Sequence, residues 1–354
     1  MNPSEFLIDS RNRILVTGAA GFIGTKVVGA LLDRGFTNLR CLVRSSSDLT
    51  NLQETISAAR GESAVEIVRG NLLSREDCKR ATREVSVIYH LAAGTGTKAF
   101  AEAFANSVVT TRNLLDAVLH HGCLRRFVSV SSFVVYTNRD HPRPNLLDEN
   151  CPIESSPALR GDPYCFAKSK QDELVSDYGK KHGIPYVLVR PGVVYGPGKR
   201  RIHGRIGIDT FGIFLHFGGS NQIPLTFVDN CAEAIVLSGV KSGIEGEAFN
   251  VVDDDLPSST QFLHMYKKEV ADFRSFYVPH FASYLFCFLW EKYSTWSGGQ
   301  LPPVYNRRVW ASVWKRTRYS NQKIKNVLGW APKVSTADGL KQYFVSCRAK
   351  ASHA

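Results

Sequence analysis

Tyr164 and Lys168 stand four residues apart at the start of a predicted helix, in the sequence YCFAKSKQDELVSDYGKK. Residues at positions i and i+4 share one face of a helix, so the phenol and the ammonium can lie together. An ammonium beside a phenol favours the phenolate and lowers a pKa that is ordinarily about 10. Such a pair can exchange a proton with a hydroxyl or carbonyl group while hydride moves to or from a nicotinamide. Because the same spacing also occurs by chance on helix surfaces, its meaning depends on the rest of the chain.

Three glycines, Gly18, Gly21 and Gly24, lie between a predicted strand and a predicted helix in the segment ILVTGAAGFIG. Gly18 would allow the tight turn, Gly21 would let backbone N–H groups approach a pyrophosphate, and Gly24 would let the helix pack closely on the strand. The N-terminus of that helix would direct its partial positive charge at the phosphates. This strand–turn–helix context predicts a dinucleotide site.

The end of the second predicted strand discriminates between the two nicotinamide dinucleotides. An acid there accepts hydrogen bonds from the ribose 2′-hydroxyl of NAD, whereas a base there binds the 2′-phosphate of NADP. This chain reads CLVRSSSD, with Arg44 at that place and Asp48 as the first acid after it. We therefore expect NADP(H), and NAD(H) stays open because Asp48 could still reach a ribose.

The segments that must position these residues alternate short apolar runs with helix-like stretches, as expected of βαβ units and a parallel sheet. The predicted strands are residues 13–17, 39–43, 65–68, 87–91, 127–130 and 186–190. Helical periodicity is clear in residues 22–33 and 111–121, and Gly35 and Gly122 stand where these helices would end. The pattern predicts an α/β fold with a Rossmann-type, doubly wound parallel sheet.

The character of the sequence changes after Pro191. Glycine and basic residues dominate at first, and then come a short apolar run, a helix that begins near Asp229 and one more predicted strand. From about Leu256 the chain becomes aromatic and helical. We expect residues 11–191 to form the dinucleotide-binding domain, with residues 223–252 returning to it. Residues 192–222 and 253–348 would form a smaller, discontinuous substrate-binding lobe.

Composition and charge narrow the class of protein. The chain has 354 residues, of which 44% are hydrophobic and 21% charged, as in an ordinary globular protein with a sizeable core. Its first residues do not resemble a secretory signal, and its eight cysteines form neither a CxxC pair nor a zinc pattern. We expect a cytoplasmic protein without a metal site. The net charge of +12 is spread along the chain rather than concentrated in blocks, so we expect no nucleic-acid partner.

The order of the motifs resembles the extended branch of the short-chain dehydrogenase/reductase superfamily, which contains NAD(P)-dependent epimerases and dehydratases. TGAAGFIG is followed by FVSVSSFVVY, then by YCFAK and RPGVVYGPG, and LGWAPK extends the resemblance nearly to the C-terminus. The chain is similar also to 3β-hydroxysteroid dehydrogenases and dihydroflavonol reductases. The resemblance implies that Ser132, or its neighbour Ser131, binds the reacting oxygen and that Asn106 supports the site from a helix.

The resemblance also implies a set of residues around the dinucleotide. The segments GNLL and HLAAG would lie beside the adenine and its ribose, with His90 as a packed structural residue, and RPGVV would pass beside the nicotinamide. The predicted catalytic residues are Ser132, Tyr164, Lys168 and Asn106. The predicted cofactor-binding residues are Gly18, Ala20, Gly21, Phe22, Ile23, Gly24, Arg44, Asn71, Leu72, Leu91, Ala92, Ala93, Tyr164, Lys168, Pro191 and Val193.

Membership of such a family does not choose a reaction. Sugar 4,6-dehydratases of this branch carry an Asp-Glu pair directly after the active-site hydroxyl, whereas this chain has Phe133 and Val134, so elimination of water by that route is not expected. The main hypothesis is an oxidoreductase that transfers hydride at a carbinol or carbonyl carbon, with Tyr164 as acid and base. One alternative is a nucleotide-sugar 4-epimerase that uses the same residues. A non-catalytic redox sensor is disfavoured because Tyr164 and Lys168 are both present.

The substrate side of the sequence carries two signals. The basic residues Lys199, Arg200, Arg201, His203 and Arg205 would suit the diphosphate of a nucleotide sugar. The aromatic segment 276–290 would line a pocket for an apolar hydroxyl or ketone compound, or simply form the core of the small lobe. That segment is too short to span a bilayer, and peripheral membrane contact is possible there but not favoured. By analogy with relatives, we expect a homodimer formed through residues 106–121 and 164–181.

Overall fold

The computed structural model describes residues 6–59, 64–94, 96, 99–138, 145–199, 202–298 and 300–351. A seven-stranded, wholly parallel sheet forms its centre. The strands, in their order across the sheet, are β3 (Ala64–Arg69), β2 (Asn38–Val43), β1 (Ile14–Thr17), β4 (Val87–His90), β5 (Arg126–Val130), β7 (Tyr186–Pro191) and β12 (Ala248–Val251). The order reverses between β1 and β4, which is where doubly wound sheets bind their ligands. The predicted Rossmann-type α/β fold is confirmed.

Helices cover both faces of this sheet, because apolar side chains point to both sides of each central strand. One face carries α1 (Phe22–Asp33), α2 (Thr50–Ser57), α7 (Val228–Val240) and α11 (Gln322–Leu328). The other carries α3 (Arg75–Thr82), α5 (Thr110–His121) and α6 (Pro163–His182), with the short α4 (Phe100–Phe104) beside α6. Every residue of α7 except Asp229 is buried, so this helix forms the centre of its layer.

The glycines predicted to end helices adopt the left-handed conformation that this role requires. Gly35 follows α1 with a φ of +78°, and Gly122 is the C-cap of α5 with a φ of +66°. A side chain at such a φ is strained, which explains why glycine stands at these turns.

The smaller lobe is built mainly from the chain after Pro191. A three-stranded sheet contains β9 (Gly207–Thr210), β10 (Ile213–His216) and β13 (Ser275–Tyr277). Two short parallel pairs join β8 (Val193–Tyr195) to β11 (Leu225–Phe227), and β6 (Leu146–Leu147) to β14 (Arg318–Tyr319). The helices of the lobe are α8 (Ser259–Glu269), α9 (His280–Trp296), α10 (Arg307–Val313) and α12 (Thr336–Ala351).

The chain crosses between the two parts more than once. After the first lobe strands, α7 packs on α1, and β12 then pairs with β7 in the register Ala248 to Leu188. The lobe has its own aromatic core, in which Phe262 of α8 packs against Tyr343 and Phe344 of α12. This arrangement places the end of β7 and the start of β8 at the boundary between sheet and lobe.

Candidate active site

The three glycines after β1 form a turn that no larger residue would fit. Gly18 has a φ of +72°, and the Gly21 N–H donates to the Gly18 carbonyl over 2.9 Å. A Cβ on Gly24 would lie 2.1 Å from the Gly18 oxygen, so α1 crosses the turn at a distance that only glycine allows. Gly21 is the N-cap of α1 and has no side chain with which to cap it. The open end of α1 therefore fits a pyrophosphate.

The segment after β4 closes the side of this turn. The Leu91 N–H donates to the Thr17 carbonyl over 3.2 Å and the Ala92 N–H to the Thr17 hydroxyl over 3.4 Å. A Cβ on Gly18 would lie 3.0 Å from the Ala92 nitrogen. Leu91, Ala92 and Ala93 are half-buried, so their backbone borders the crevice between β1 and β4, as the resemblance implies.

The loop that follows β8 reaches back over the start of α1. The Lys199 ammonium lies 5.0 Å from the centre of the Phe22 ring, a cation–π contact. Phe22, Ile23 and Ala20 are half-buried around the turn. At the sheet end of the same region, a Cβ on Gly192 would lie 2.1 Å from the Pro224 oxygen, so glycine is required between β7 and β8.

The side chains that flank this glycine differ in exposure. Pro191 is buried as the last residue of β7, while Val193 begins β8 half-buried. Both lie at the boundary between the sheet and the lobe, where the resemblance places the nicotinamide.

At the carboxyl end of β2 the exposed residue is Arg44, and a second base lies close to it. The Arg69 guanidinium donates to the Ser45 carbonyl over 2.6 Å. Asp48 lies two residues before α2, and its carboxylate accepts from the Thr50 N–H (3.0 Å) and the Thr50 hydroxyl (2.7 Å). These bonds lower the pKa of Asp48. The local charge here is positive, and the nearby acid is already engaged.

The segment after β3 is held by its own turn. The Asn71 side-chain oxygen accepts from the Leu73 N–H over 3.0 Å, and the Asn71 N–H donates to Asp77 over 2.8 Å. Leu72 is buried, and its carbonyl accepts from the Asn113 amide over 3.0 Å. Asn71 therefore shapes the loop, while its side chain stays exposed at the same sheet edge as Arg44.

Tyr164 lies in the first turn of α6, which Asp162 caps by accepting from the Tyr164 N–H over 2.9 Å. The Ser132 hydroxyl lies close enough to the Tyr164 phenol to act on its pKa, which it lowers. Ser132 follows β5 and begins a short 3₁₀ turn, where its oxygen accepts from the Val134 N–H over 3.3 Å. The structure thus brings the two predicted hydroxyls together at the carboxyl end of β5.

Ser131 points away from this pair and into the interior. It is 2% exposed, and its hydroxyl donates to Asp172 over 2.9 Å. The same carboxylate oxygen accepts from the Arg190 guanidinium over 3.1 and 3.2 Å, and Arg190 also donates to the Tyr136 phenol over 3.0 Å. This buried network ties α6 to β5 and β7, and motif reasoning missed it because Asp172 and Arg190 belong to different elements.

Lys168 is 3% exposed and bound on two sides. Its ammonium donates to the Val130 carbonyl over 2.7 Å and to the Gln171 side-chain oxygen over 2.8 Å. Burial lowers the pKa of Lys168 to about 8, although Asp172 opposes that effect. Burial raises the pKa of Tyr164 to about 12, although Ser132 opposes that effect. The lowered pKa of Tyr164 that the Tyr–Lys spacing predicts is therefore absent here, because desolvation of the phenol and the nearby carboxylates of Asp162 and Asp172 all favour the neutral phenol.

Behind Lys168 a second chain of hydrogen bonds leads back to β1. The Gln171 amide donates to the Thr111 hydroxyl (2.8 Å), which itself donates to the Ser107 carbonyl (2.5 Å). His90 lies between the hydroxyls of Thr111 and Thr17, each 2.8 Å from one ring nitrogen. Because the Thr111 proton is already used, His90 Nε2 must carry the proton and Nδ1 must accept from Thr17. Burial lowers the pKa of His90 to about 3, so this histidine is a neutral, packed residue.

Asn106 lies in a π-helical turn, Ala105–Val109, between α4 and α5. Such turns often occur at functional sites, because they turn one residue out of the regular helix. A Cβ on Gly94 would lie 3.1 Å from the Asn106 Cβ, so this helix packs closely on the loop after β4. Asn106 is half-buried and stands beside the crevice.

The two positions after Ser132 contain no acid or base. Phe133 is buried and stacks on Tyr319, with ring centres 5.6 Å apart. The Val134 carbonyl accepts from the Arg160 guanidinium over 2.7 Å. Both positions are therefore used for packing.

The basic residues expected to bind a diphosphate, Lys199 to Arg205, form a loop after β8. Two of them, Arg200 and Arg201, lie outside the described residues. Arg205 turns inward, where it donates to the Ser312 carbonyl (2.8 Å) and the Tyr319 phenol (3.2 Å). His203 is exposed and accepts from the Arg205 N–H over 3.1 Å. Among the described residues of this loop, Lys199 reaches the glycine turn through its contact with Phe22.

Most large side chains of the aromatic segment are exposed, among them Phe276, Phe281, Leu285 and Leu289. The expectation that this segment forms the interior of the lobe is wrong, since α9 buries mainly the small residues Ser283, Cys287 and Ser294. Within the described part of the chain, no helix combines the length and apolar character needed to cross a bilayer. All eight cysteines are free thiols.

Comparison with known proteins agrees with this geometry. A sequence model of the NAD dependent epimerase/dehydratase family matches residues 14–251. A trifunctional UDP-glucose 4,6-dehydratase/UDP-4-keto-6-deoxy-D-glucose 3,5-epimerase/UDP-4-keto-L-rhamnose-reductase of Arabidopsis thaliana is 30% identical over 67% of this chain and 36% of its own length. The chain thus spans about a third of that relative. A UDP-glucose 4-epimerase of Mycolicibacterium smegmatis is 28% identical over 93% of this chain and 96% of its own.

A solved structure shares the fold over nearly the whole chain. The UDP-glucuronic acid 4-epimerase of Bacillus cereus, in complex with UDP-glucuronic acid and NAD, superposes with a TM-score of 0.70. It is 23% identical, and the match covers 96% of this chain and 99% of that one.

Proposed function

Because the chain belongs to the NAD dependent epimerase/dehydratase family, we propose that it is an NAD(P)-dependent enzyme that transfers hydride at a carbinol or carbonyl carbon. The family assignment confirms the resemblance to the extended short-chain dehydrogenases/reductases. The observation that carries the proposal is the proximity of Ser132 and Tyr164, which lie at the sheet edge that also bears the glycine turn. A dinucleotide bound at that edge would supply the hydride donor or acceptor.

Each residue of the pair has a distinct part in this proposal. Tyr164 gives its phenol proton to the oxygen when a carbonyl is reduced, and its phenolate takes the proton from a substrate hydroxyl when the carbon is oxidised. Because burial holds the pKa of Tyr164 at about 12, the oxidative direction requires that this pKa falls when cofactor and substrate bind. Ser132 hydrogen-bonds the same oxygen and stabilises charge that develops there. Lys168 uses two N–H bonds on Val130 and Gln171, which leaves a third donor for the ribose hydroxyls of the cofactor. Asn106 supports the site from the neighbouring helix.

The test is a pair of tyrosine variants on one helix. Tyr164→Phe should lower kcat by roughly 10²- to 10⁴-fold, the usual contribution of a positioned acid–base group, with little effect on cofactor affinity. Tyr178→Phe is the matched control, because its phenol also lies on α6 but binds Asp116 at the surface. A Tyr164→Phe enzyme that keeps most of its turnover would contradict the proposed proton transfer.

For the cofactor we propose a preference for NADP(H) within an NAD(P)-dependent family. Support comes from Arg44 and Arg69 at the end of β2 and from the engagement of Asp48 with Thr50. The Bacillus cereus relative holds NAD, so the preference must be measured directly. Titration by nicotinamide fluorescence should give tighter binding of NADPH than of NADH, and Arg44→Leu should remove the difference. Tighter binding of NADH to the unaltered protein would overturn the preference.

For the substrate a nucleotide sugar is the favoured candidate, with 4-epimerisation as the specific reaction. The Mycolicibacterium relative that matches nearly end to end is a UDP-glucose 4-epimerase. The exposure of the aromatic segment argues against an enclosed apolar pocket, and Phe133 and Val134 argue against elimination of water. Incubation with UDP-glucose should produce its 4-epimer, detected by chromatography. Turnover confined to simple ketones or alcohols would leave the hydride-transfer proposal standing and refute the epimerase.

Two further properties belong to the proposal. By analogy, α5 and α6 would pack against a second copy in a homodimer, which sedimentation velocity tests directly. The free, mostly buried thiols fit a reducing compartment such as the cytoplasm. Immunolocalisation of the intact protein would decide the compartment.

A further inference from the structure

The side of α9 that faces away from the protein is more apolar than the side that is buried. Phe281, Leu285 and Leu289 recur every four residues along one line, and their exposed fractions are 76%, 50% and 57%. Trp296 continues the same side at 80% exposed. Helices of water-soluble proteins normally direct such residues toward the core. A contiguous apolar surface of this kind marks a binding surface.

The apolar surface extends from α9 onto the adjacent three-stranded sheet. Phe276 of β13 is 59% exposed, and its register partner Leu215 packs on the core that holds α9. Tyr277 is 56% exposed and points to the opposite side of the strand, where its ring contacts His216. Phe211, at the tip of the β9–β10 hairpin, is fully exposed with a φ of +50°. The sheet and α9 are fixed to each other by a small core in which Cys287 packs with Phe217 and Trp314. We call the exposed side chains of α9 together with Phe276 and Phe211 the apolar face.

The part of the sequence that contains α9 and β13 is basic. Residues 256–320 contain nine lysines and arginines and three acids, and the exposed Asp209 of β9 adds one further acid near the hairpin tip. Each of the three acids in residues 256–320 is engaged by a base: Glu291 by Arg307 over 3.0 Å, Asp272 by Lys267 over 3.7 Å and Glu269 by Arg348 over 3.0 Å. Lys292 lies on the exposed side of α9 and Arg274 directly before β13, both of them exposed. The face therefore presents positive charge beside hydrocarbon.

The geometry points to an anionic lipid bilayer as the partner of the apolar face, on which the protein docks with α9 lying in the plane of the membrane surface. An interfacial helix combines large apolar side chains, aromatic rings at the boundary and basic residues that meet anionic headgroups, and the apolar face has all three. A second copy is a poorer match, since a symmetric contact would set Lys292 and Arg274 of one copy against like charges of the other. With 17 residues, α9 is about 26 Å long, which suits lying on a bilayer rather than crossing it.

The experiment is co-sedimentation of the full chain with vesicles. Binding is expected to phosphatidylserine–phosphatidylcholine vesicles at low salt, with weaker binding to phosphatidylcholine alone and a decline as salt rises. Leu285→Gln/Leu289→Gln should lower the partition coefficient by about 100-fold, since each leucine contributes roughly tenfold on burial. Lys292→Gln should lower it by about fivefold. The matched control is Val327→Gln, which removes an exposed aliphatic side chain from α11, a helix that packs on β12 and α7 of the sheet domain.

Loss of membrane binding can be told apart from loss of folding. The substituted side chains are exposed, so their replacement should leave the thermal unfolding midpoint unchanged. Binding that L285Q/L289Q abolishes and V327Q preserves supports the proposal. Failure to bind anionic vesicles, or equal binding by all variants, overturns it. A concentration-dependent dimer in sedimentation velocity that L285Q/L289Q dissociates would assign the apolar face to a second copy instead. None of these readouts depends on the proposed enzymatic activity.

Discussion

We predict that the hydrogen bond from Lys168 to Gln171 stabilises the protonated form of Lys168, and replacing Gln171 with leucine tests that effect. The Gln171 side-chain oxygen is one of two acceptors for the buried ammonium, the other being the Val130 carbonyl. Leucine keeps the size of the side chain but accepts no hydrogen bond. Thr111 would still donate to Ser107 and accept from His90, so the rest of the network keeps its partners.

The size of the effect follows from the value of a hydrogen bond to a charged group, about 1.5–3 kcal/mol. The lost bond stabilises the protonated amine, so its removal lowers the pKa of Lys168. At about 1.4 kcal/mol per unit, the decrease is about 1–2 units. Since burial already holds the pKa of Lys168 at about 8, that of the Gln171→Leu variant should lie roughly between 6 and 7.

The assay is NADPH affinity as a function of pH, followed by nicotinamide fluorescence, and it rests on the proposed function. A protonated Lys168 donates to the cofactor ribose, so affinity should fall as pH rises through the Lys168 pKa. The midpoint of that fall should move to lower pH in Gln171→Leu and to higher pH in Gln171→Glu, which sets a carboxylate beside the ammonium. Glu173→Gln is the control, because Glu173 binds the exposed Lys170 on the same helix. A midpoint that stays in place in both Gln171 variants would refute the reasoning.

Two other substitutions test the frame around the site. Arg190→Met leaves Asp172 buried without its guanidinium partner and should cost about 3–5 kcal/mol of unfolding free energy, measured by urea denaturation with unaltered protein as reference. Gly24→Ala places a Cβ 2.1 Å from the Gly18 oxygen, so dinucleotide affinity should fall at least about tenfold. Gly29→Ala in the same helix is the control. It should bind the dinucleotide normally, because its Cβ would meet only the Thr55 methyl group. Normal affinity in Gly24→Ala would show that the turn is not the binding element.

The elements nearest the glycine turn were predictable because their signals are local. The strand before Gly18 shows as a run of neighbouring apolar residues, and α1 shows as helical periodicity from Phe22 to Asp33. The structure gives α1 the predicted bounds. Arg44 was likewise placed at the end of β2 by counting along the strand. The Ser131–Ser132 ambiguity had no such signal, since both residues have the same chemistry. Backbone geometry separates them: Ser132 is extended, with φ −165° and ψ 158°, so successive side chains point in opposite directions.

The networks behind the site depend on contacts between distant segments, which explains why the motifs did not reveal them. Gln171 lies three residues after Lys168, a spacing that places both on one side of α6. The hydrogen bond between Lys168 and Gln171 was therefore predictable from the sequence. The other partner of Gln171, Thr111, is 60 residues away, and nothing in the local pattern links them. The raised pKa of Tyr164 has the same origin, because desolvation is produced by the assembled fold rather than by the Tyr–Lys spacing.

The exposed orientation of α9 contradicts one interpretation of segment 276–290, that it simply forms the core of the small lobe, and the sequence contains information that favours the exposed orientation. A helix that is apolar on every side gives no polar stripe from which to infer its exposed face. The small residues of α9 indicate its buried side instead. Ser283, Cys287 and Ser294 recur at spacings of four and seven residues, and all three are buried. Small side chains let a helix approach its neighbours closely, so the bulky residues between them are forced outward. The rows of phenylalanine and leucine on α9 are therefore exposed because the packing surface is built from small residues, and a helix arranged in this way needs a partner outside its own chain.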